Sequence, residues 1–232
     1  MKQISLHRQG PVWILSLSSA HPEGGLDSSD LEDLDAALDN IENSNDNAAL
    51  MLCGEHPRTW CNGIDLPWLM TQDEVDHRLC ISKLEDLLLR LSLCNLPTIA
   101  CLHGDCYATG ALLAFACDFR LMRDEGARLS LSQLKLKMPY TPAMLAVLHQ
   151  APHSRGLWEM ALTAAVCQGS EALRLQLVDQ IHPADRLFHH SLEFAEQMAQ
   201  RHRATYSDIK QGLRAATLAM WQARRLNDGR AC

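Results

Sequence analysis

Apolar and polar positions alternate in blocks along the first half of the chain, and the blocks predict strands followed by helices. "ISLH" and "VWILSLS", joined by a Gly-Pro turn, predict a β-hairpin. "DSSDLEDLDAALDNIENS" has apolar residues at helical spacing, with Ser28 or Ser29 as the expected N-cap. The continuous apolar run "ALMLCG" is typical of a strand covered on both faces. A long amphipathic helix is expected over residues 73–93, before Pro97 ends that segment.

The second half of the chain begins with the same alternation and then becomes helical. "TIACLHG" predicts another buried strand, "GALLAFACD" a helix, and "FRLMR" and "RLSLS" two further strands. From Pro142 onward the pattern is helical almost to the end, with breaks near Pro152, Gly169 and Pro183. Strands that alternate with helices, followed by a helical tail, predict an α/β core over residues 1–183 and a C-terminal helical region over residues 184–232.

Composition narrows the class of protein. The chain has 232 residues, of which 47% are hydrophobic, and this suits one sizeable domain or a domain with a small appendage. A formal net charge of −7 argues against a nucleic-acid partner. No apolar run reaches the roughly 18 residues that a membrane span needs, and the apolar stretch at the N-terminus is too short for a signal peptide. We therefore expect a cytoplasmic protein without a membrane partner.

Nine cysteines raise the question of disulfides or zinc. They lie at positions 53, 61, 80, 94, 101, 106, 117, 167 and 232, with no Cys-x-x-Cys pair and no clustered histidine. Most have apolar neighbours, where a free cysteine behaves as a small buried hydrophobe. An odd count without a signal peptide fits a reducing compartment, so we expect free thiols and no metal site.

Two strand-to-helix junctions are candidates for an anion site. In "ALMLCGEHPRTWCNGIDLPWLM" and in "TIACLHGDCYATGALLAFACD" a buried strand ends, a glycine-containing turn follows, and a helical stretch begins. Backbone N–H groups at a helix start can hold a carboxylate, a phosphate or a developing oxyanion. Each turn alone is more often mere packing, but two in one domain favour an anion site modestly. The large apolar side chains around Asn62 and Gly63 indicate either a turn buried in the core or the lining of a pocket for a partly apolar ligand.

Three blocks of the sequence resemble the crotonase (enoyl-CoA hydratase/isomerase) superfamily. "TWCNGIDL" is similar to the family's aromatic residue, small residue, Ala or Asn, then Gly-x-Asp-Leu. "LPTIACLHGDCYATGALLAFACDFRLMRD" is similar to its second block, with Gly104, Gly110 and Cys117-Asp118 at the family's spacing. "GSEALRLQLVDQI" resembles a later block, with Gln176 in place of a glycine. Together the blocks cover roughly residues 1 to 225, and they look most like the shorter 3-enoyl-CoA to 2-enoyl-CoA isomerases.

The resemblance implies a crotonase-like α/β fold of ββα units around a spiral core, with a C-terminal helical region. It implies an acyl-CoA or enoyl-CoA as the small-molecule partner, with coenzyme A as part of the substrate and no separate cofactor. Family members commonly form trimers or dimers of trimers, and the same assembly is expected here. The C-terminal helices would cover the pocket of their own subunit or that of a neighbour, although their pattern of Leu213, Leu218, Met220 and Trp221 equally fits ordinary surface helices.

The resemblance also assigns a site. The backbone N–H groups of Ile64 and Thr109 would form an oxyanion hole for the thioester oxygen. Arg58 would lie near the CoA phosphates, or else be a solvated loop residue. The remaining ligand-binding positions of the two turns would be Trp60, Asn62, Gly63, Asp65, Leu66 and Gly110. Asp65 is expected to bond the backbone rather than the substrate.

The acid/base group that this chemistry needs is missing from its usual places. Isomerisation or hydration of an enoyl thioester requires a general base, normally a carboxylate. The two positions that carry it in the family are here Leu112 and Gln133, and a glutamine amide does not titrate near neutral pH. Substitutes are conceivable, although each has a commoner structural role: Asp65, Asp105, His56, His103 and Tyr140.

Three functions therefore remain open. The first is an acyl-CoA isomerase or hydratase with an unconventional base. The second is an acyl-CoA-binding protein that has lost catalysis. The third is a thioester hydrolase or a decarboxylase, in which the oxyanion hole serves other chemistry and no carboxylate is obligatory. The fold alone does not decide among them.

Overall fold

The computed structural model describes residues 4–18, 24–151 and 154–227, and within these ranges the chain forms ten strands and eleven helices. The strands are β1 (Ile4–Gln9), β2 (Val12–Leu17), β3 (Ala49–Gly54), β4 (Thr59–Cys61), β5 (Thr98–Leu102), β6 (Asp105–Tyr107), β7 (Phe119–Arg123), β8 (Arg128–Ser130), β9 (Cys167–Gln168) and β10 (Gln180–His182). The helices are α1 (Ser28–Glu42), α2 (Leu66–Leu69), α3 (Glu74–Leu93), α4 (Thr109–Ala116), α5 (Gln133–Leu136), α6 (Pro142–Leu148), α7 (Ser154–Thr163), α8 (Gly169–Arg174), α9 (Leu187–Met198), α10 (Arg203–Leu213) and α11 (Ala215–Asn227).

The strands form two sheets. Six strands lie in the order β1-β2-β3-β5-β7-β10, in which only the β1–β2 hairpin is antiparallel. Four short strands form a second sheet in the order β4-β6-β8-β9, with β9 antiparallel to β8. Successive strands of the first sheet therefore feed, through β4, β6 and β8, into the second sheet. This arrangement confirms the predicted α/β class.

Strand β3 shows why its sequence is apolar without a break. Leu50 and Leu52 lie in the core cluster that contains the apolar faces of α1 and α3. Met51 and Cys53 lie in a second cluster, together with residues of α9. Since side chains alternate across a strand, both faces of the sheet are buried here, as the continuous apolar run predicted.

The N-cap of helix α1 lies one residue before the first of the two expected serine caps. Its N-cap is Asp27, whose carboxylate accepts hydrogen bonds from the backbone N–H of Ser29 and of Asp30. The Asp30 carboxylate accepts one in return from the N–H of Asp27. This reciprocal capping box satisfies the backbone N–H groups of Asp27, Ser29 and Asp30. The prediction of Ser28 or Ser29 as the cap was therefore wrong.

The prediction of a helical pattern from Pro142 almost to the end was wrong in two places. Strand β9 pairs with β8, and strand β10 pairs with β7 as the edge of the larger sheet. Both strands are too short to show a periodic pattern in the sequence. They are strands because they pair with β8 and β7, which are distant in the chain. The break near Gly169 is where α8 begins, and Pro183 directly follows β10. Pro152 lies outside the described residues.

The C-terminal helices pack on the core of their own chain. Helix α9 covers the second face of the larger sheet. Helix α10 is held by the buried carboxylate of Asp118, which lies 2.7 Å from Lys210 Nζ and 2.9 Å from Arg214 Nη2. Helix α11 packs on α3 and α6. The division at residue 183 stays a prediction. Among the residues described, we find no helix with the length and hydropathy needed to cross a membrane.

Candidate active site

The two glycine turns of the sequence lie against each other in the fold. A Cβ atom built on Gly63 would lie 2.8 Å from the backbone N of Thr109. One built on Gly110 would lie only 2.1 Å from the carbonyl O of Cys61. Gly63 also has φ +84°, a left-handed conformation that side chains rarely adopt. Glycine at both positions is therefore what allows the two turns to touch.

The first turn is fixed by backbone hydrogen bonds on both sides of Ile64. Leu26 N donates to Gly63 O at 2.7 Å, and Asp65 N donates to Leu26 O at 2.8 Å. Within the described part of the chain, the N–H of Ile64 itself has no acceptor. The Asp65 carboxylate accepts from Trp68 N at 2.6 Å and so caps α2, which confirms that it bonds backbone.

The second turn contains a strained residue that the sequence did not reveal. Ala108 has φ 50° and ψ −115°, a combination that normally requires glycine. Its N–H donates to Ser130 O at 3.0 Å, and its carbonyl accepts from Leu112 N at 3.2 Å. Helix α4 begins directly after it, at Thr109. Such strain costs about 1–3 kcal/mol and persists only where the surroundings fix it.

Thr109 and Ile64 thus present two backbone donors at one place. Thr109 N lies at the start of the eight-residue helix α4 and, like Ile64 N, donates to no acceptor among the described residues. Both residues are 8% exposed. Unpaired N–H groups at a shielded helix start favour negative charge, because the helix dipole adds to their own partial charge. The arrangement can accept an oxygen atom that carries or develops negative charge.

The apolar residues around the first turn divide into two groups. Trp60 and Leu69 are buried in the main core cluster. Leu66 and Trp68 are only partly buried and pack against that cluster from outside. The turn is therefore anchored in the core by one group, while the other group keeps part of its apolar surface exposed beside the turn.

The two positions that carry the family acid hold neutral side chains in different surroundings. Leu112 is completely buried in the core cluster. Gln133 is 5% exposed and begins α5, three residues after Ser130, whose carbonyl anchors the second turn. No hydrogen-bond partner for Gln133 Oε1 occurs in the described ranges. Position 133 is therefore polar and unsatisfied, whereas position 112 is entirely apolar.

The candidate substitute bases are engaged in holding the turns. Asp105 forms an ion pair with Arg128, whose Nε lies 3.0 Å from Oδ1. His56 Nδ1 accepts from the backbone N of Thr59 at 3.1 Å. His103 Nε2 is 2.8 Å from the carbonyl O of His56. These three side chains, like Asp65, have structural partners at the turns.

Tyr140 differs from the other four candidates. No partner for its buried hydroxyl is found in the part of the chain that the structure describes. Burial raises the pKa of this phenol to about 12, so it stays protonated at neutral pH. It can donate a hydrogen bond to a ligand but cannot act as a base there.

Arg58 lies at the rim of the site. Its side chain is exposed, and its carbonyl accepts from Asp105 N at 2.9 Å, which ties the first turn to the second. A Cβ on Gly104 would lie 2.5 Å from that carbonyl O, so the crossing of the two turns depends on glycine here also. The role of the guanidinium toward CoA phosphates stays a prediction.

Cys61 and Cys117 are unreactive thiols. The eight cysteines in the described ranges are all buried and free. Burial raises the pKa of Cys61 and of Cys117 to about 12, so neither is a thiolate nucleophile at neutral pH. Among the described residues no group of three or more His, Cys, Asp or Glu side chains could hold a metal ion.

Parallel strands that feed a second, smaller sheet, with two glycine turns in contact where they cross over, define a crotonase-fold protein. The chain belongs to the enoyl-CoA hydratase/isomerase family, whose model matches residues 8–229. It is 26% identical over 194 residues to the mitochondrial enoyl-CoA delta isomerase 1 of Rattus norvegicus, which covers 80% of the chain. It is 30% identical over 168 residues, or 70% of the chain, to a putative enoyl-CoA hydratase of Thermus thermophilus. The matches span 65% and 64% of these relatives' own lengths.

Solved structures show the same fold. Human mitochondrial delta3-delta2-enoyl-CoA isomerase superimposes with a TM-score of 0.88 at 21% identity, covering 97% of this chain and 88% of that one. A probable enoyl-CoA hydratase of Mycobacterium tuberculosis H37Rv superimposes with a TM-score of 0.86 at 21% identity, covering 96% and 92%. At this level of identity the similarity establishes the fold and no particular reaction.

Proposed function

We propose that this protein binds an acyl-CoA thioester and polarises its carbonyl between the backbone N–H groups of Ile64 and Thr109. The observation that carries the proposal is the contact between the two turns, which brings together two shielded donors with no protein acceptor. Membership of the enoyl-CoA hydratase/isomerase family supports the choice of a CoA thioester as the ligand.

The two donors would act on the thioester oxygen without any side chain. As negative charge develops on that oxygen in an enolate or tetrahedral species, both hydrogen bonds strengthen in a site shielded from water. One such donor typically contributes about a hundred- to a thousandfold in rate. The partly buried Leu66 and Trp68 would cover apolar parts of the ligand, and Arg58 would meet the CoA phosphates at the rim.

A reaction that moves a proton also needs a general base, so the proposal has two forms, an enzyme with such a base and a binding protein without one. An isomerase or hydratase would need a base other than residues 112 and 133. A binding protein without turnover is the second candidate. It is supported by the structural partners of Asp105, His56 and His103, because a side chain engaged in holding a turn is poorly placed to act as the base. In both cases the thioester is held in the same way, so binding can be tested separately from turnover.

We also propose that the protein assembles into a trimer or a dimer of trimers. Support comes from large apolar side chains that remain exposed on α5 and α7, namely Leu134, Trp158 and Leu162. Light scattering on the purified protein tests this, and a monomeric mass at micromolar concentration would contradict it.

The binding proposal is tested by comparing a thioester with a thioether. Octanoyl-CoA and S-octyl-CoA share the nucleotide, the pantetheine and the alkyl chain, but only the thioester has a carbonyl oxygen for the two N–H groups. Calorimetry should give about five- to a hundredfold tighter binding of octanoyl-CoA, since the thioether leaves two buried donors unpaired. Equal affinities would show that the turns do not hold the carbonyl.

Turnover is examined with a panel of enoyl-CoAs and saturated acyl-CoAs, followed by mass spectrometry. Change of enoyl-CoA alone indicates isomerase or hydratase activity, and release of free CoA indicates thioester hydrolysis. Binding without any product indicates the catalytically inactive form. Thr109→Ala keeps the backbone N–H that would hold the thioester oxygen, so this variant should behave like the parent protein.

A further inference from the structure

Two of the buried cysteines lie opposite each other on neighbouring strands. Cys53 of β3 and Cys101 of β5 are register partners in the parallel part of the larger sheet. Both side chains point to the same face, because both lie in the cluster that α9 covers. Neighbouring strands lie about 4.7–4.9 Å apart, and the Cα atoms of a disulfide are usually about 4.4–6.8 Å apart. The separation of the two cysteines is therefore within the range that a disulfide spans.

The two thiols interact with each other, and one of them is the easier to ionise. Hydrogen bonding between the two side chains raises the pKa of Cys53 and lowers the pKa of Cys101. Within the described ranges the buried Ser191 hydroxyl on α9 has no nitrogen or oxygen partner, and its hydrogen bond to Cys101 also lowers the pKa of that thiol. A lowered pKa favours the thiolate, which is the nucleophilic form of cysteine. Cys101 is therefore the reactive thiol of the pair.

A second pair of cysteines has similar spacing but different thiol chemistry. Cys61 of β4 and Cys106 of β6 are also register partners on parallel strands. Burial raises the pKa of Cys61 to about 12 and holds the pKa of Cys106 well above its usual range, so both stay protonated at neutral pH. Cys61 is 1% exposed and Cys106 is fully buried, whereas Cys53 is 8% exposed. Of the two pairs, Cys53 and Cys101 is the one that a small oxidant can attack.

The reactive pair lies directly before both turns of the candidate active site. Cys53 is followed by Gly54, where a Cβ atom would lie 2.8 Å from the backbone of Trp60 and 2.8 Å from His103 Cε1. Cys101 lies two residues before His103, on the strand that leads to the second turn. A bond between the two sulfur atoms would therefore join β3 to β5 just before the chain passes to the second sheet.

We propose that Cys53 and Cys101 are an oxidation site that closes into a reversible disulfide when the protein meets hydrogen peroxide. The Cys101 sulfur attacks one oxygen of the peroxide, the O–O bond breaks, and a sulfenic acid forms while hydroxide leaves and is protonated to water. The Cys53 sulfur then attacks the sulfenic sulfur, so that the S–S bond forms, the S–O bond breaks, and the Cys53 proton leaves with the hydroxide as water. The two thiols lose two electrons, and one peroxide is reduced to two waters. The inference does not depend on the acyl-CoA function.

The test treats the reduced, folded protein with hydrogen peroxide, blocks the remaining thiols with N-ethylmaleimide in denaturant, and identifies linked tryptic peptides by mass spectrometry. Cys53 is the single cysteine of peptide 9–58, Cys101 lies in peptide 91–120, and Cys61 lies in peptide 59–78. Peptides 9–58 and 91–120 should be linked, with the loss of two hydrogen atoms, and dithiothreitol should separate them. Cys101→Ser should abolish the link. Cys106→Ser, in the same tryptic peptide, is the matched control and should keep it.

Two further variants test the roles of the individual groups. Cys53→Ser should leave a sulfenic acid on Cys101, which dimedone labels in peptide 91–120. Ser191→Ala should slow the reaction with peroxide about two- to tenfold, because the Cys101 thiolate loses a hydrogen bond. Ser92→Ala in α3 removes another buried hydroxyl without a partner in the described ranges, and it should react at the parent rate. An unchanged rate in Ser191→Ala would overturn the role of Ser191.

Three outcomes in the parent protein would overturn the inference. Both thiols could remain fully alkylated after treatment with peroxide, which would show that the pair is not oxidised. Peptide 91–120 could instead be linked to peptide 59–78, which would show that Cys61 and Cys106 are the reactive pair. Peroxide could also add two oxygen atoms to Cys101 without any link, which would show that Cys53 does not attack the sulfenic acid. Each outcome is read from the parent protein, so it decides the matter even if a variant does not fold.

Discussion

An alanine at position 63 would test the contact between the two turns directly. The added methyl group would lie 2.8 Å from the backbone N of Thr109 and 3.0 Å from its Cβ. Both neighbours belong to the start of α4, so relief requires a shift of backbone. The methyl group would also stand beside one of the two proposed oxyanion donors. Gly63→Ala therefore should disturb stability and ligand binding together.

The size of the effect follows from two contributions that a control variant separates. Gly63 has φ +84°, and alanine in the left-handed region costs about 1–2 kcal/mol. Gly10, in the β1–β2 turn, has φ +56° and no atom within 4 Å of its virtual Cβ, so Gly10→Ala measures this conformational cost alone. The steric clash at position 63 should add about 1–3 kcal/mol, the usual cost of overpacking.

Urea unfolding of both variants and titration with octanoyl-CoA provide the assay. We expect a loss of about 1–2 kcal/mol for Gly10→Ala, and of about 2–5 kcal/mol for Gly63→Ala from the sum of the two contributions. Gly10→Ala should bind the ligand normally, whereas Gly63→Ala should bind it at least tenfold more weakly. Equal stability losses with unchanged affinity would refute the claim that the two turns meet at Thr109.

Three further predictions concern single side chains. Asp118→Asn should lower the free energy of unfolding by about 3–5 kcal/mol in denaturant titrations, because Lys210 and Arg214 lose their buried counter-charge. As a control, Glu74→Gln removes an exposed ion pair and should lower it by under about 0.5 kcal/mol. Gln133→Glu should create or increase conversion of 3-enoyl-CoA to 2-enoyl-CoA by roughly a hundred- to ten-thousandfold, followed by the absorbance of the conjugated thioester; a folded, ligand-binding variant without any gain would contradict the isomerase ancestry. Because the pKa of Tyr140 is raised to about 12, the folded state keeps a proton that the unfolded state loses above about pH 10. Stability should therefore fall between about pH 10 and 12. Melting curves of Tyr140→Phe should show less of this alkaline loss.

The sequence predicted the elements whose signal is local. Strands β3 and β5 are continuous apolar runs, and α1 and α3 have apolar residues at helical spacing. The faces that these elements bury require apolar residues at those positions, so the pattern is visible in the sequence. In the second sheet only β8 was predicted, from "RLSLS"; β4, β6 and β9 have two or three residues each, which is too few for any periodicity. They exist because β4, β6, β8 and β9 pair with one another, and such long-range pairing leaves no trace in a short window.

The same distinction applies to the site. The glycines of the two turns and the capping role of Asp65 were predictable, because a left-handed φ, a close approach and a helix start each demand particular residue types. The left-handed conformation of Ala108 was not, since alanine normally signals helix. Nor was the pairing of Asp105 with Arg128, because the two residues are 23 positions apart and meet only when β6 and β8 align.

The contrast between positions 112 and 133 decides which one could regain a base. The proposed oxyanion donors are backbone N–H groups set by glycine contacts, so either side chain can change without moving them. Leu112 is fully buried among apolar residues, and Leu112→Glu would place a carboxylate where no described partner compensates it, at a cost of several kcal/mol. Gln133 already has an amide of nearly the same shape as the carboxylate of glutamate, and the hydroxyl residues Ser130 and Tyr140 belong to the same stretch of chain. Gln133→Glu should therefore keep the fold and Leu112→Glu should lose much of its stability in urea, and comparable midpoints for the two variants would contradict this account of the site.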